Sequence, residues 1–196
     1  MAMRKRKYFT QALSEWMKGG GPESDIVISS RIRLARNLKD LPFPTLATNV
    51  HAQEVLDRVK TVLKSDTLRA AGNFDMLLLD GIDELDKKVL VEKHLISPAL
   101  VSEAKKGAVI LSENESISIM VNEEDHLRIQ VLRTGFQLKE AWEQADKIDD
   151  IFESQLDYAF DEQRGYLTSC PTNVGTGMRA SVMMHLPALV ITQQIN

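Results

Sequence analysis

Alternation of apolar and polar residues near the amino terminus restricts the fold more than any other feature of this sequence. From residue 25 onwards, aliphatic residues share one parity, and a serine and two arginines share the other: Ile26, Ile28, Ile32 and Leu34 against Ser29, Arg31 and Arg33. Side chains of a strand point alternately to its two faces, so this period predicts a strand that shows both arginines on one face. A solvated strand face that serves only solubility is the alternative.

The same period recurs at residues 122–131, which we expect to continue a strand that begins at residue 116. In that strand Glu124, His126, Arg128 and Gln130 face one way. Four residues of extended chain place Glu124 and Arg128 about 13 Å apart, so they would hold the two ends of a ligand rather than each other. A metal site at residues 123–126 is a competing interpretation, but neighbouring strand residues point to opposite faces and cannot converge on one ion.

The only cysteine, Cys170, precedes a glycine-bearing loop at residues 173–177 that leads to Arg179. The adjacent hydroxyls of Ser169 and Thr172 can hydrogen-bond to a thiolate and so favour it over the thiol. Glycines let backbone N–H groups approach an anion, and an arginine can bind the same anion with two N–H groups. A reactive thiol is one interpretation of this stretch, and an inert, buried cysteine is the other.

Apolar spacing typical of helices occurs at residues 8–18, 55–63, 82–96, 137–160 and 189–196. Apolar runs at 74–79, 107–111 and 116–121 predict strands, the last two as a hairpin. Thr48 or Asn49 is expected to cap the second helix. A final helix that reaches the end of the chain without a cap predicts that these residues are the first part of a longer protein.

Composition narrows the class of protein. With 196 residues, 43% of them hydrophobic, the chain can bury one core. A formal net charge of −4 argues against a nucleic-acid or membrane-surface binder. A single cysteine allows no internal disulfide, and the sequence has neither a membrane-length apolar stretch nor a signal-type apolar core, so we expect a cytoplasmic protein with no nucleic-acid or membrane partner.

Arginines on three separate predicted strands indicate a polyphosphate ligand, because guanidinium groups pair with phosphate oxygens. Arg128 and Arg179 join the two arginines of the first strand in this set. The sequence has neither a GxxxxGK[ST] loop nor the glycine-rich loop, HRD and DFG motifs of protein kinases, which excludes both standard architectures for phosphoryl transfer. The carboxylate of Glu124 and a thiolate at Cys170 would suit a cationic acceptor.

Three motifs in this order resemble those of the phosphagen kinase superfamily, which transfers the ATP γ-phosphate to a guanidinium: Ser29–Arg33, Asn122–Arg128 and Cys170–Ser181. Within it the chain is most similar to the bacterial kinases of protein arginine, since only 28 residues precede Ser29 and Met183 replaces a histidine of the metabolic enzymes. The resemblance implies an α+β fold in which helices flank an antiparallel β-sheet. It divides the chain into an N-terminal helix at 1–21 and an incomplete catalytic domain at 22–196.

The resemblance also implies roles for individual residues. ATP would be bound by Ser29, Ser30, Arg31, Ile32, Arg33, His94, Arg128, Arg179, Ala180, Ser181, Val182 and Met183. Glu124 would hold the acceptor guanidinium and help to take its proton, and Cys170 would flank the same group. Mg²⁺ would arrive with ATP, bound mostly by phosphates and water, with no metal site of protein ligands.

The partners implied by the resemblance are proteins with exposed arginines, which the kinase marks for regulation and degradation during stress. An activator protein, a heat-shock repressor, the Clp protease machinery and a second copy in a homodimer complete this set of expectations. Two other functions stay open at the level of sequence. One is a catalytically inactive fragment that binds a nucleotide or a partner, and the other is a kinase of small guanidino compounds.

Overall fold

A computed structural model describes residues 7–195 and shows the α+β fold that the resemblance implies. Within these residues the strands are β1 (Val27–Arg36), β2 (Phe74–Leu78), β3 (Ala108–Ser112), β4 (Ile117–Val121), β5 (Leu127–Thr134), β6 (Phe160–Asp161), β7 (Gly165–Tyr166) and β8 (Met178–Met184). The α-helices are α1 (Asn49–Leu63), α2 (Asp66–Ala71), α3 (Glu84–Glu92), α4 (Pro98–Ser102), α5 (Leu138–Glu153) and α6 (Pro187–Ile191).

Six strands form one antiparallel sheet in the order β2-β3-β4-β5-β1-β8, while β6 and β7 form a separate hairpin. In the register of the sheet, Arg33 lies opposite Gln130 of β5 and Arg179 of β8. Arg31 and Arg128 have the same parity on their strands, and directly opposite residues of an antiparallel pair share a face. The four arginines therefore lie on one side of the sheet, which we call the arginine face.

The opposite face of the sheet is the larger hydrophobic core. Ile32 and Leu34 of β1 pack there with Ile129 of β5 and with apolar residues of α1 and α5. Thr48 caps the amino terminus of helix α1, and its hydroxyl accepts a hydrogen bond from the His51 backbone N–H, which confirms the predicted cap. Burial on this face explains the pattern in the middle of β1, because Ile32 and Leu34 face the helices whereas Arg31 and Arg33 face away. Ile28, which has the same parity as Ile32, is 40% exposed.

A second hydrophobic cluster covers half of the arginine face. Met120 of β4 lies opposite Arg128, and it packs with Leu90 of α3, Leu100 of α4 and Tyr8. The helices α3 and α4 and the N-terminal segment therefore cover the side of the sheet formed by β2, β3 and β4. The arginines on β5, β1 and β8 lie beyond this cover.

The N-terminal segment differs from the predicted helix at residues 8–18. One helical turn at 7–10 is followed by a short 3₁₀ helix at Glu15–Met17, and residues 1–6 of the predicted N-terminal helix lie outside the described part of the chain. The reason is a buried polar cluster in which Ser14 Oγ donates to the Glu115 carboxylate. Lys93 Nζ lies 2.6 Å from that carboxylate and donates to the Tyr8 carbonyl at 3.1 Å. These tertiary contacts override the helical spacing.

Three other predicted helices are shorter in the structure. Helix α3 ends at Glu92, because His94 adopts a positive φ of 54° that a right-handed helix cannot continue. Helix α5 ends at Glu153, and residue 160 already pairs with Tyr166 in the hairpin. Helix α6 ends at Ile191, and residue 196 lies outside the described residues. No helix within residues 7–195 has the length and apolar character that crossing a bilayer requires.

Candidate active site

A cavity of about 780 Å³ opens beside the arginine face. Arg33, Arg128 and Arg179 line it together with Glu124 and Cys170. These residues come from β1, β5, β8 and two loops, and they are separated by up to 146 positions in the sequence. The structure thus brings three of the four predicted phosphate-binding arginines and the two predicted acceptor-side residues to one cavity.

Two smaller cavities continue along the same face. One of about 390 Å³ is lined by Arg31, Arg33, His94 and Arg128 among others, and so shares two arginines with the large cavity. The next, of about 220 Å³, is also lined by Arg31 and His94. The arginines therefore lie between the end that holds Glu124 and Cys170 and the end that holds His94.

The segment that carries Glu124 is a turn, so the predicted continuation of the strand is wrong. Asn122 has a positive φ of 60°, and Val121 pairs directly with Leu127, which makes residues 122–126 the connection between β4 and β5. As a result, the Glu124 carboxylate lies 3.0 Å from Arg128 Nη2 instead of about 13 Å away. The two groups that were expected to hold opposite ends of a ligand form an ion pair with each other.

Arg128 also pairs with a second carboxylate that the sequence does not single out. Its Nη1 lies 2.7 Å from Glu123, whose side chain is 3% exposed, whereas the side chain of Glu124 is 41% exposed. Glu123 additionally accepts a hydrogen bond from Ser97 of the turn before α4. Glu123 therefore fixes the guanidinium of Arg128 from beneath, and Glu124 contacts it from the open side of the cavity.

A buried hydrogen-bond network joins the Glu124 turn to the Cys170 loop. The Asp125 carboxylate accepts from Asn37 Nδ2 at 2.6 Å and from the Ser169 backbone N–H at 2.7 Å. The Ser169 hydroxyl in turn donates to the Glu124 backbone carbonyl at 2.6 Å. Because Asp125 is fully buried, this network sets the position of Glu124 relative to Cys170.

His126 supports the site without lining the cavity. Its Nδ1 accepts from the Leu38 backbone N–H at 3.0 Å, so its Nε2–H donates to the Pro42 carbonyl at 3.1 Å. Burial lowers the pKa of this imidazole to about 4, and the neutral ring links the loop after β1 to the Glu124 turn. Within residues 7–195, no group of three or more His, Cys, Asp or Glu side chains could hold a metal ion.

Cys170 lies at the start of a short 3₁₀ helix, Pro171–Asn173, and is partly exposed. Its Sγ is 3.0 Å from the Thr172 hydroxyl, the contact that the sequence predicts. The hydroxyl of Ser169 is engaged with the Glu124 carbonyl, so Thr172 is the hydroxyl that accompanies the thiol.

The arginines destabilise one another's charges. Burial and the charges of Arg31, Arg128 and Arg179 lower the pKa of Arg33 to about 10. Burial, Arg128 and Arg179 likewise lower the pKa of Arg31. The Nε of Arg33 is buried and has no hydrogen-bond partner among the described residues. A polyanion such as a triphosphate fits this set of side chains, because it would accept the unpaired N–H and offset the repulsion.

The loop between Cys170 and Arg179 is fixed by a side chain outside the predicted set. Arg36 Nη1 donates to the Thr176 carbonyl at 3.0 Å, and Arg36 Nη2 lies 2.6 Å from Asp149 of α5. The Arg36 guanidinium also lies 3.7 Å from the centre of the Tyr166 ring. At Gly177, with φ +64°, a Cβ would come within 2.4 Å of Arg36 Nη1, so only glycine lets the loop approach this closely.

Four of the twelve residues predicted to bind ATP have side chains that point away from the arginine face. Ser30 Oγ donates to the Gly135 carbonyl and Ile32 packs in the larger core, so neither side chain lines the cavities. Ala180 lies opposite Ile32 and Val182 opposite Ser30, although Val182 reaches the smallest cavity. The side chains on the arginine face are those of Ser29, Arg31, Arg33, Arg128, Arg179, Ser181 and Met183.

Comparison with known sequences identifies relatives of this chain. A family model described as ATP:guanido phosphotransferase, C-terminal catalytic domain, matches residues 54–196. The protein-arginine kinase of Brevibacillus brevis is 62% identical over 194 residues, which cover 99% of this chain and 54% of that protein. The protein-arginine kinase of Halalkalibacterium halodurans is 60% identical over the same shares of the two chains. The chain thus spans about half the length of the curated relatives it matches.

Solved structures share the fold at lower sequence identity. The duplicated taurocyamine kinase from Schistosoma mansoni with bound transition state analog components has a TM-score of 0.79 at 22% identity, over 95% of this chain and 27% of that one. Lombricine kinase has a TM-score of 0.74 at 22% identity, over 95% of this chain and 58% of that one. At such identities these likenesses establish the fold of the sheet and its helices.

Proposed function

Because this chain belongs to the ATP:guanido phosphotransferase family, we propose that it works as an ATP-dependent kinase that phosphorylates arginine side chains of proteins. The names and the identities of its relatives support this choice of acceptor. The observation that carries the proposal is the single cavity in which three arginines face Glu124 and Cys170. That arrangement supplies a binding site for phosphates and, beside it, a carboxylate for a cationic acceptor.

At the donor end, Arg33, Arg128 and Arg179 bind the phosphates of ATP. Their fixed positive charges stabilise the charge that develops on the transferred phosphoryl group. The backbone needs little rearrangement, since all three arginines project from strands of one sheet. Mg²⁺ bound with ATP supplies further neutralisation of the phosphate charge.

At the acceptor end, the Glu124 carboxylate accepts hydrogen bonds from the guanidinium of the substrate and promotes loss of one proton. This step is needed because the intact cation is a poor nucleophile. In the free protein Glu124 is paired with Arg128 at 3.0 Å. Phosphates that bind Arg128 compete with this pair and release Glu124 for the acceptor. Cys170 lines the same cavity and flanks the acceptor nitrogen.

The test combines a transfer assay with a binding measurement on the purified protein. Incubation with Mg²⁺, labelled ATP and an arginine-rich protein is expected to yield acid-labile phosphoarginine. Glu124→Gln should lower the transfer rate at least 100-fold, the lower end of the usual contribution of a general base. The same variant should bind ATP as tightly as the wild type or more tightly, because Arg128 loses a competing carboxylate.

Glu103→Gln is the matched control, since Glu103 lines the same cavity and makes no ion pair within residues 7–195. It should keep both transfer and ATP affinity within about twofold. Transfer to free arginine but not to protein would instead assign a small-molecule guanidino kinase. ATP binding without any transfer would leave a nucleotide-binding module, and the kinase proposal would be abandoned.

The setting of this activity is part of the same proposal. We expect it in the cytoplasm, in response to stress, with ATP and Mg²⁺ as the donor and exposed arginines of proteins as acceptors. An activator protein, a heat-shock repressor, the Clp protease machinery and a second copy of the chain are the proposed partners. Copurification of the protein from cells before and after heat stress would test each of them.

A further inference from the structure

The smallest of the three cavities, which share lining residues with their neighbours, is lined partly by the N-terminal segment. Trp16 lines it together with Arg31, His94 and Met183. The Trp16 and His94 rings meet edge to face, with their centres 5.8 Å apart. At about 220 Å³ this cavity is several times larger than the roughly 30 Å³ of one water, so it admits a ring system.

The order of the cavities indicates what this one would hold. Glu124 and Cys170, which are proposed to bind the acceptor, lie at one end of the arginine face. The phosphate-binding arginines lie next to them along this face. Arg31 and His94 then line both the middle and the smallest cavity. A nucleoside triphosphate with its terminal phosphate near Glu124 must therefore direct its nucleoside toward Trp16. We infer that Trp16 forms a wall of the nucleoside slot and contributes to recognition of the base or ribose, an inference that rests on the proposed kinase function.

The N-terminal segment is anchored well enough to present such a wall. Ser14, two residues before Trp16, donates to the buried Glu115 carboxylate. Glu115 is paired with Lys93 at 2.6 Å, and Lys93 is the immediate neighbour of His94. One buried polar cluster therefore holds both rings of the slot, and neither ring depends on a freely moving terminus.

The chemistry of the wall suits a nucleoside better than inorganic phosphate alone. Trp16 and His94 are aromatic and Met183 is apolar, so they offer contacts to a base that a bare polyphosphate cannot use. The Trp16 Nε1–H is buried without a hydrogen-bond partner among the described residues. Trp16 is only 4% exposed, so it contributes an edge, and its effect on affinity should be moderate.

The chain has two tryptophans, which gives the test a built-in control. Trp142→Phe leaves Trp16 as the only indole, and Trp16→Phe leaves Trp142, which lies on α5 against the opposite face of the sheet. MgATP should quench or shift the emission of the Trp142→Phe variant and leave that of Trp16→Phe unchanged. Tripolyphosphate, which has phosphates but no base, should produce less than about a third of the change seen with MgATP.

Calorimetry then separates recognition from structural support. Trp16→Ala should weaken MgATP binding about fivefold to tenfold and change tripolyphosphate binding less than about twofold. Equal losses for the two ligands would overturn the inference, because they would show that Trp16 only supports the arginines. Silent Trp16 emission on saturation with MgATP would also overturn it, and that measurement does not depend on the folding of a Trp16 variant. If the wild type bound neither MgATP nor tripolyphosphate, the proposed kinase function itself would be contradicted. The inference about Trp16, which rests on that function, would be contradicted as well.

Discussion

At the scale of single residues, the buried imidazole of His126 makes the stability of the protein depend on pH. Its pKa in the folded state is about 4, against an ordinary value of 6.5, because burial disfavours the charged form. Between these two values the unfolded chain binds a proton that the folded chain does not. The contribution of neutral His126 to the free energy of unfolding is therefore fully present above pH 6.5. It is lost progressively as the pH falls from 6.5 towards 4.

We expect the wild type to lose about 1.2 kcal/mol more unfolding free energy than His126→Gln when the pH is lowered from about 7 to about 5.5. Urea unfolding at both pH values measures this difference. His185→Gln, which removes an exposed histidine, is the matched control for the loss of an imidazole. Identical slopes for wild type and His126→Gln would contradict a depressed pKa at His126.

The sequence indicated which side chains line the cavity, but it did not indicate which residues hold them in place. Glu124, Cys170 and the arginines stand out in the sequence because their charges or reactivity have few structural explanations. Asn37 and Asp125 hold the same site together across 88 positions of the sequence, and this pairing leaves no local signal. Glu123 adjoins Glu124, and only the turn at residues 122–126 shows that the two carboxylates approach Arg128 from different sides.

At the scale of elements, the alternation of apolar and polar residues predicted the strands correctly. It failed at residues 122–126, where a turn separates two strands whose aliphatic residues mostly have the same parity. Leu127, Ile129 and Val131 of β5 have the same parity as the aliphatic residues of β4, so the pattern predicts one continuous strand from residue 116. The break occurs at Asn122, whose side chain donates to the Ala52 and Lys106 carbonyls and so stabilises its positive φ. Asparagine tolerates this conformation, but one asparagine between two apolar runs does not locate a turn.

Gly177 fixes the end of the loop that delivers Arg179 to the arginine face. Gly177→Ala would place a methyl group 2.4 Å from Arg36 Nη1 and 2.6 Å from the Ala35 carbonyl oxygen, in addition to the strain of φ +64°. We expect a loss of about 2–4 kcal/mol of unfolding free energy, seen as a fall in Tm of roughly 5–10 °C. ATP affinity should fall as well, because Arg179 follows two residues later.

Gly20→Ala separates the two causes of this destabilisation. Gly20 has φ +84°, but a Cβ there would meet no atom within 4 Å, so only backbone strain applies. Its cost should be about 1 kcal/mol, with ATP affinity unchanged. Thermal unfolding of both variants by circular dichroism makes the comparison. Equal losses would mean that the contact between the Gly177 loop and Arg36 contributes nothing.

At the scale of the whole molecule, the antiparallel sheet places helices and core on one face and concentrates positive charge on part of the other. The sequence shows the parity of each strand but not which strands are neighbours. Arg33 lies beside Arg179, 146 positions later, because β1 pairs with both β5 and β8. This register is a tertiary property, and it places four arginines from distant parts of the sequence on one surface.

The concentration of positive charge should destabilise the free protein and at the same time favour phosphate binding. One substitution can test both effects. Arg33→Met removes the arginine whose pKa is lowered to about 10 by burial and by its three neighbours, and it also removes a buried Nε without a partner in the described residues. The free variant should unfold slightly above the wild type, by about 2 °C, since solvent screens part of the repulsion. ATP affinity should fall at least about tenfold, because a charge-assisted hydrogen bond to phosphate is lost.

Arg133→Met is the matched control for charge and size, since Arg133 lies opposite Ser30 on the other face and donates to Gln144 at 2.7 Å. Its Tm should fall through the loss of that hydrogen bond, and its ATP affinity should stay within about twofold. Thermal unfolding with and without ATP measures both quantities for each variant. Added salt should shrink the gain in Arg33→Met by screening the repulsion that the substitution relieves. A lower Tm for Arg33→Met than for the wild type would show that repulsion between the arginines does not destabilise the free protein. Relief of that repulsion could then not contribute to phosphate binding.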